Sequence, residues 1–137
     1  MNHARVLIGG IVGGIVFNVV SIAFNFGIQM KRYLILQDQG AMHREPRVPF
    51  LPLWMLTLFL VSIGLVWLYA AARPRLGPGP RTALCVGLVV GLIGALPGNL
   101  CVFSWTHVGG FVSLFWEIEM IVGCAAATLA GGWVYKE

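Results

Sequence analysis

The chain has 137 residues, of which 58% are apolar and only 10% charged, with a formal charge of +4. Average soluble chains carry about 25% charged residues, so this composition, with a mean hydropathy of +0.86, excludes a disordered tail, a disulfide-stapled secreted module and an ordinary soluble domain. It predicts a single all-α integral membrane domain, an antiparallel four-helix bundle with the bilayer as its first partner.

The first predicted span runs from about 6 to 30. Val6 to Met30 contains 25 residues without a charge. That exceeds a signal-peptide core and suits a spanning helix, so Ser21-Ile22-Ala23 is read as part of the span and not as a cleavage site. Gly9/Gly13 and Gly10/Gly14 form two overlapping GxxxG pairs, which let helix backbones approach closely in lipid. Gly14, Asn18, Ser21, Asn25 and Gln29 recur at helical spacing. They predict a polar stripe along the span, either for interhelical hydrogen bonds or as the lining of a hydrated slot.

The segment from Lys31 to Leu51 is the one long loop. Its first part, Lys31 to Gln39, either extends the first helix or lies in the interface. Pro46, Pro49 and Pro52 break the second part and start the second span, expected at about 52–72. Arg73 to Arg81, rich in Pro and Gly, reads as a tight basic turn that stops the helix.

The sequence Trp67-Leu-Tyr-Ala-Ala-Ala-Arg-Pro-Arg-Leu-Gly-Pro-Gly-Pro-Arg-Thr-Ala-Leu84 resembles that of small four-span bacterial membrane proteins without an assigned activity. The resemblance covers these 18 residues, and it implies location and architecture alone.

The third span is expected at about 82–103. It carries Gly87/Gly91, then Gly94/Gly98, with a break at Pro97-Gly98 just before Asn99. The fourth is expected at about 111–135, with Gly123, Ala127 and Gly131 continuing the small-residue spacing. Trp54, Trp67, Tyr69, Trp105, Trp133 and Tyr135 lie near span ends, where aromatic belts form. Trp116, Ile118 and Val122 are expected to face lipid. Cys85, Cys101 and Cys124 lie in apolar runs without metal spacing and read as small buried hydrophobes.

Four spans put both termini on one side. Arg5, Arg73, Arg75, Arg81 and Lys136 fall there, against Lys31, Arg32, Arg44 and Arg47 on the other. This small excess favours cytoplasmic termini in the cell (inner) membrane. The basic residues flank apolar runs as lipid anchors do, and they predict no nucleic-acid partner.

Glu117 and Glu119 are the costly residues. A charge near the bilayer centre costs about 2.5–3.5 kcal/mol on insertion scales, which makes each a functional candidate by default. They lie about 200° apart around the helix. Glu119 shares its face with Gly123, Ala126 and Ala130, and Glu117 with Ser113, Cys124 and Thr128. Depth predicts a polar cluster of Asn18, Asn25, Asn99 and Glu117, with Glu119 left for another helix or a partner subunit. His107, in the third loop, is placed to exchange protons with that cluster.

The sequence has no zinc-protease, nucleophile-elbow or phosphate-loop motif. No catalytic residue, metal or cofactor is assigned, and an enzyme acting on a lipid or quinone-like substrate is the least favoured class. The leading expectation is a structural or accessory subunit of a larger membrane assembly or homo-oligomer. The alternative is a small proton-linked transporter or channel using the fourth-span carboxylates.

Overall fold

The computed structural model describes residues 1–135 and is all-α. Helix α1 spans His3–Phe24 and passes through a π-helical turn, Asn25–Gln29, into α2, Met30–Asp38. Helices α3 (Phe50–Leu76), α4 (Pro80–Trp105) and α5 (Gly110–Val134) complete the chain. Among the described residues, four helical stretches are long and apolar enough to cross a membrane: His3–Asp38, Phe50–Leu76, Pro80–Trp105 and Gly110–Val134. Four such stretches suggest a multi-pass membrane protein.

The helix ends have local causes. Asn2 caps α1, its side-chain oxygen accepting from Arg5 N at 3.2 Å, which satisfies one of the amides left open at a helix start. Gly40, at φ 73°, closes α2, and the amides of Ala41 and Met42 both donate to Leu36 O. Gly77, at φ 83°, closes α3, with its amide on Arg73 O. Both glycines hold a left-handed conformation that side chains with a Cβ rarely adopt. Pro80 stands in the first turn of α4, where its missing N–H costs nothing.

Two expectations about helix boundaries are corrected. Helix α3 does not stop at residue 72. It runs through Arg73 and Pro74 to Leu76, because Pro74 lies in the last turn and ends no more than one backbone hydrogen bond before Gly77 turns the chain. Helix α4 does not break at Pro97-Gly98 but continues to Trp105. Of the two courses expected for Lys31 to Gln39, the structure takes the first: the π turn carries the helix past Met30 to Asp38. Lys136, one of the basic residues expected beside the termini, lies outside the described residues.

Packing keeps a four-residue beat. Gly9 meets the backbone of Gly131, Gly13 that of Ala127, and Phe17 covers Gly123. Each step of four up α1 matches a step of four down α5. A Cβ on Gly13 would sit 2.7 Å from Ala127 O, so the backbones approach as closely as they do only because no side chain intervenes. Gly10 and Gly14 face α3 instead, against Ile63 and Phe59. On α4, Gly87 lies against Ala125 and Gly91 against Ile121. A second small-residue pair on α4 behaves differently: a Cβ at Gly94 or Gly98 would meet nothing within 4 Å.

Two apolar clusters fill the interior. One joins Phe17, Leu58, Leu65, Cys124 and Ala127, and the other joins Val6, Val66, Tyr69, Ala70, Ala83 and Tyr135. Cys124 is buried, whereas Cys85 and Cys101 are exposed on α4. The expectation that all three are buried is therefore corrected. The last two lie on the side of α4 that no other helix covers.

Tyr69 and Tyr135 also leave the expected aromatic belt. They meet edge to face with centroids 6.4 Å apart, and the Tyr135 hydroxyl accepts from Asn2 N at 3.2 Å. These contacts bring the described N- and C-terminal residues together. Tyr69 also accepts from Gly79 N, which adds the α3–α4 turn to the same end. Trp105 remains 87% exposed, as a belt residue would.

Candidate functional site

The two α5 carboxyls occupy separate polar sites. Glu119 is the next member, one step of four below Gly123, of the ridge on α5 that packs α1. It therefore arrives opposite Ser21. The Ser21 hydroxyl donates to Glu119 Oε1 at 2.5 Å, and Asn25 Nδ2 donates to Glu119 Oε2 at 3.0 Å. Glu119 is 2% exposed.

Further donors converge on this pair. Trp54 Nε1, on α3, donates to Ser21 Oγ at 2.9 Å. The Tyr33 hydroxyl, on α2, donates to Asn25 Oδ1 at 2.6 Å, and Trp116 Nε1 donates to Tyr33 Oη at 2.7 Å. The result is a directed chain: Trp116 to Tyr33 to Asn25 to Glu119 on one side, and Trp54 to Ser21 to Glu119 on the other. A carboxylate accepts only, so it forms a natural end to such a chain. The network ties α1, the π turn, α2, α3 and α5 together around one acidic side chain.

The π turn has a part in this geometry. It begins at Asn25 and inserts one extra residue per turn into the helix. The extra rotation precedes Tyr33, whose hydroxyl reaches back two helical turns to Asn25. Gln29, the last residue of the π turn and of the predicted stripe, is 0% exposed, and its amide nitrogen and oxygen make no hydrogen bond.

Glu117 lies on the other side of α5, facing α4. Its Oε2 accepts from Asn99 Nδ2 at 2.8 Å. Its Oε1 is buried without a partner, as is the hydroxyl of Ser113 one turn earlier. Residues Glu117 and Ser113 are 8% and 5% exposed.

The predicted cluster is thus divided. Asn99 and Glu117 do meet, but Asn25 joins Glu119 and not Glu117. Glu119 is not left over; it is the hub of the larger network. Asn18 stands with neither carboxyl. Its Nδ2 donates to Gly14 O at 2.8 Å and Met55 O at 3.4 Å, so with Gly14 it forms part of the α1–α3 seam. The stripe divides by level along the helix: Gly14 and Asn18 reach α3, while Ser21 and Asn25 reach Glu119 on α5, with Ser21 also meeting Trp54 of α3. His107 is exposed in the α4–α5 turn and takes no part in the hydrogen bonds of either carboxyl. Trp116, expected to face lipid, is half-buried and bonded to Tyr33.

Sequence reasoning missed Tyr33, Trp54 and Trp116 as members of the site. Trp54 had no sequence signal, since the α1–α3 register that carries it to the level of Ser21, Gly10 with Ile63 and Gly14 with Phe59, is set by packing. Tyr33 had none, because its placement depends on the π turn.

Comparisons with protein-family models, with curated proteins and with solved structures find no match for this chain.

Proposed function

We propose that the chain is a membrane-embedded structural or accessory subunit, an antiparallel four-helix bundle that joins a larger membrane assembly or its own copies. In this reading it lies in the cell inner membrane with cytoplasmic termini. The carrying observation is the contrast along α4. Gly87 and Gly91 are pressed against α5, while Gly94 and Gly98 face open space. In lipid, apolar faces gain little by association, and small residues that admit a neighbouring backbone are what make helices associate. The Glu119 network supports the same reading, since both its oxygens are engaged in joining helices of one chain.

The test is gentle purification with native lipid and then mass measurement. A defined oligomer or stoichiometric partners are expected, and Gly98→Leu is expected to release them. A stable monomer in every mild detergent contradicts the reading.

A second reading, a small proton-linked transporter or channel, draws on one observation: the unpartnered Oε1 of Glu117. It predicts flux in proteoliposomes that falls in Glu117→Gln or Glu119→Gln. Unchanged flux in both contradicts a carboxylate mechanism.

A further inference from the structure

The seam between α4 and α5 changes character along its length. At one end it is glycine against backbone: Gly87 on Ala125, then Gly91 on Ile121. Continuing by fours, 95 falls opposite 117 and 99 opposite 113. The Asn99–Glu117 hydrogen bond, at 2.8 Å, shows that Asn99 does arrive at this level. Ser113 and Glu117 are four apart on one helix, so their side chains share a face. The close apolar seam thus ends in a patch of oxygen-bearing side chains.

Two atoms of this patch, Glu117 Oε1 and Ser113 Oγ, are buried and have no partner. Buried polar atoms are almost always satisfied in folded proteins, so a pair of orphans one turn apart points to something bound between them. Asn99 spends its Nδ2 on Glu117 and keeps its carbonyl oxygen as an acceptor. Carboxylate, hydroxyl and amide carbonyl are all hard oxygen donors. With no nitrogen or sulfur ligand among them, they suit alkali or alkaline-earth ions over transition metals. One carboxylate supplies one negative charge. A monovalent ion leaves the site neutral, whereas a divalent ion leaves a net charge among apolar helices, where it is costly.

We propose that Glu117, Ser113 and Asn99 form a binding site for a monovalent alkali cation between α4 and α5. The flank of α4 beside it is thin. Pro97 and Gly98 precede Asn99, a Cβ at Gly94 or Gly98 would touch nothing, and Pro97 offers no amide to the Ile93 carbonyl. Occupancy requires neither transport nor self-association, so the cation site stands or falls separately from the subunit and transporter readings.

The experiment uses the purified full-length chain in mild detergent. Thermal unfolding is monitored by tryptophan fluorescence in sodium chloride and in N-methylglucamine chloride at equal ionic strength. Binding of radiolabelled sodium is measured alongside. The expected result is a higher unfolding midpoint in sodium, since a ligand that binds only the folded state stabilises it, together with saturable sodium binding. Glu117→Gln is expected to lose both effects and Ser113→Ala to weaken both. Equal midpoints with no saturable binding in the unaltered chain mean that the seam holds only water, and they overturn the proposal. Full retention of sodium binding in Glu117→Gln overturns it equally. Should that variant not fold, undiminished binding in Ser113→Ala does so.

Discussion

Two carboxyls, two residues apart on one helix, have opposite surroundings. Both oxygens of Glu119 accept hydrogen bonds, from Ser21 and Asn25, while Glu117 accepts one from Asn99 and leaves an oxygen bare. Amide replacement separates them. In Glu119→Gln the new NH2 group must face either the Asn25 amide, which is a donor, or the Ser21 hydroxyl, which must then turn its hydrogen away although its oxygen already accepts from Trp54 and Asn25. In Glu117→Gln the amide oxygen still accepts from Asn99 and the NH2 replaces an unpartnered atom. Glu119→Gln is therefore expected to destabilise by about 1–3 kcal/mol, the cost of leaving buried polar groups unsatisfied. Glu117→Gln, measured in the absence of alkali ions, is expected to be near neutral. Chemical or thermal unfolding in detergent compares the two, and equal losses would contradict the assignment of Glu119 as hub. Tyr33→Phe removes two hydrogen bonds, one from Trp116 and one to Asn25, and is expected to cost about 1 kcal/mol, at an average of about 0.6 kcal/mol for a hydrogen bond between membrane helices. The sequence made the importance of both carboxyls legible, because charge is so scarce in the spans. It did not reveal which partner each takes. Depth in the membrane alone pairs Glu117 with Asn25. The four-residue spacing of Glu119, Gly123, Ala127 and Gly131 is present in the sequence, but only the packed register, Gly9 on Gly131 and Gly13 on Ala127, leads it to Ser21.

At the scale of the helix, small residues set the approach distances, and position decides what a larger side chain does. Gly13→Val places atoms on the Ala127 backbone, and Gly87→Val places them on Ala125. Each is expected to destabilise the folded chain by about 1–3 kcal/mol, as overpacking does. Gly94→Val meets open space and is expected to leave the unfolding midpoint of the isolated chain unchanged while weakening association. Unfolding measured beside light scattering distinguishes the three variants. An equal loss of stability in Gly94→Val would mean that this face is already packed within the chain. The spans themselves were legible because long uncharged apolar runs have few alternatives. Their ends were not, for two reasons. Pro74 and Pro97 are stop signals in water-soluble contexts, but each lies in an apolar helix that continues past it. The π turn at Asn25–Gln29 leaves no mark in hydropathy, although it carries Tyr33 into the site.

For the whole molecule, contacts between Asn2 and Tyr135 and between Gly79 and Tyr69 collect the described chain ends and the α3–α4 turn at one end of the bundle. Arg73 adds to this end, its guanidinium 5.2 Å from the Tyr135 ring centroid, within the range of a cation–π contact. At the opposite end, Arg32 lies 4.9 Å from the Phe111 ring centroid. Basic residues thus stand at both ends of the apolar stretches, as anchors in two headgroup layers do. Between those ends, α1 is wrapped by α3 and α5, while α4 rests on α5 and presents a long apolar outer face from Leu84 to Trp105. In the proposed assembly, that face is where a neighbouring helix is expected to pack. The most direct measurement is the mass of the chain extracted with its native lipid, before and after the substitution Gly98→Leu. The account predicts a defined oligomer or a stoichiometric complex that this one change dissociates into folded monomers. A monomer from the outset, or an assembly indifferent to Gly98→Leu, would contradict it.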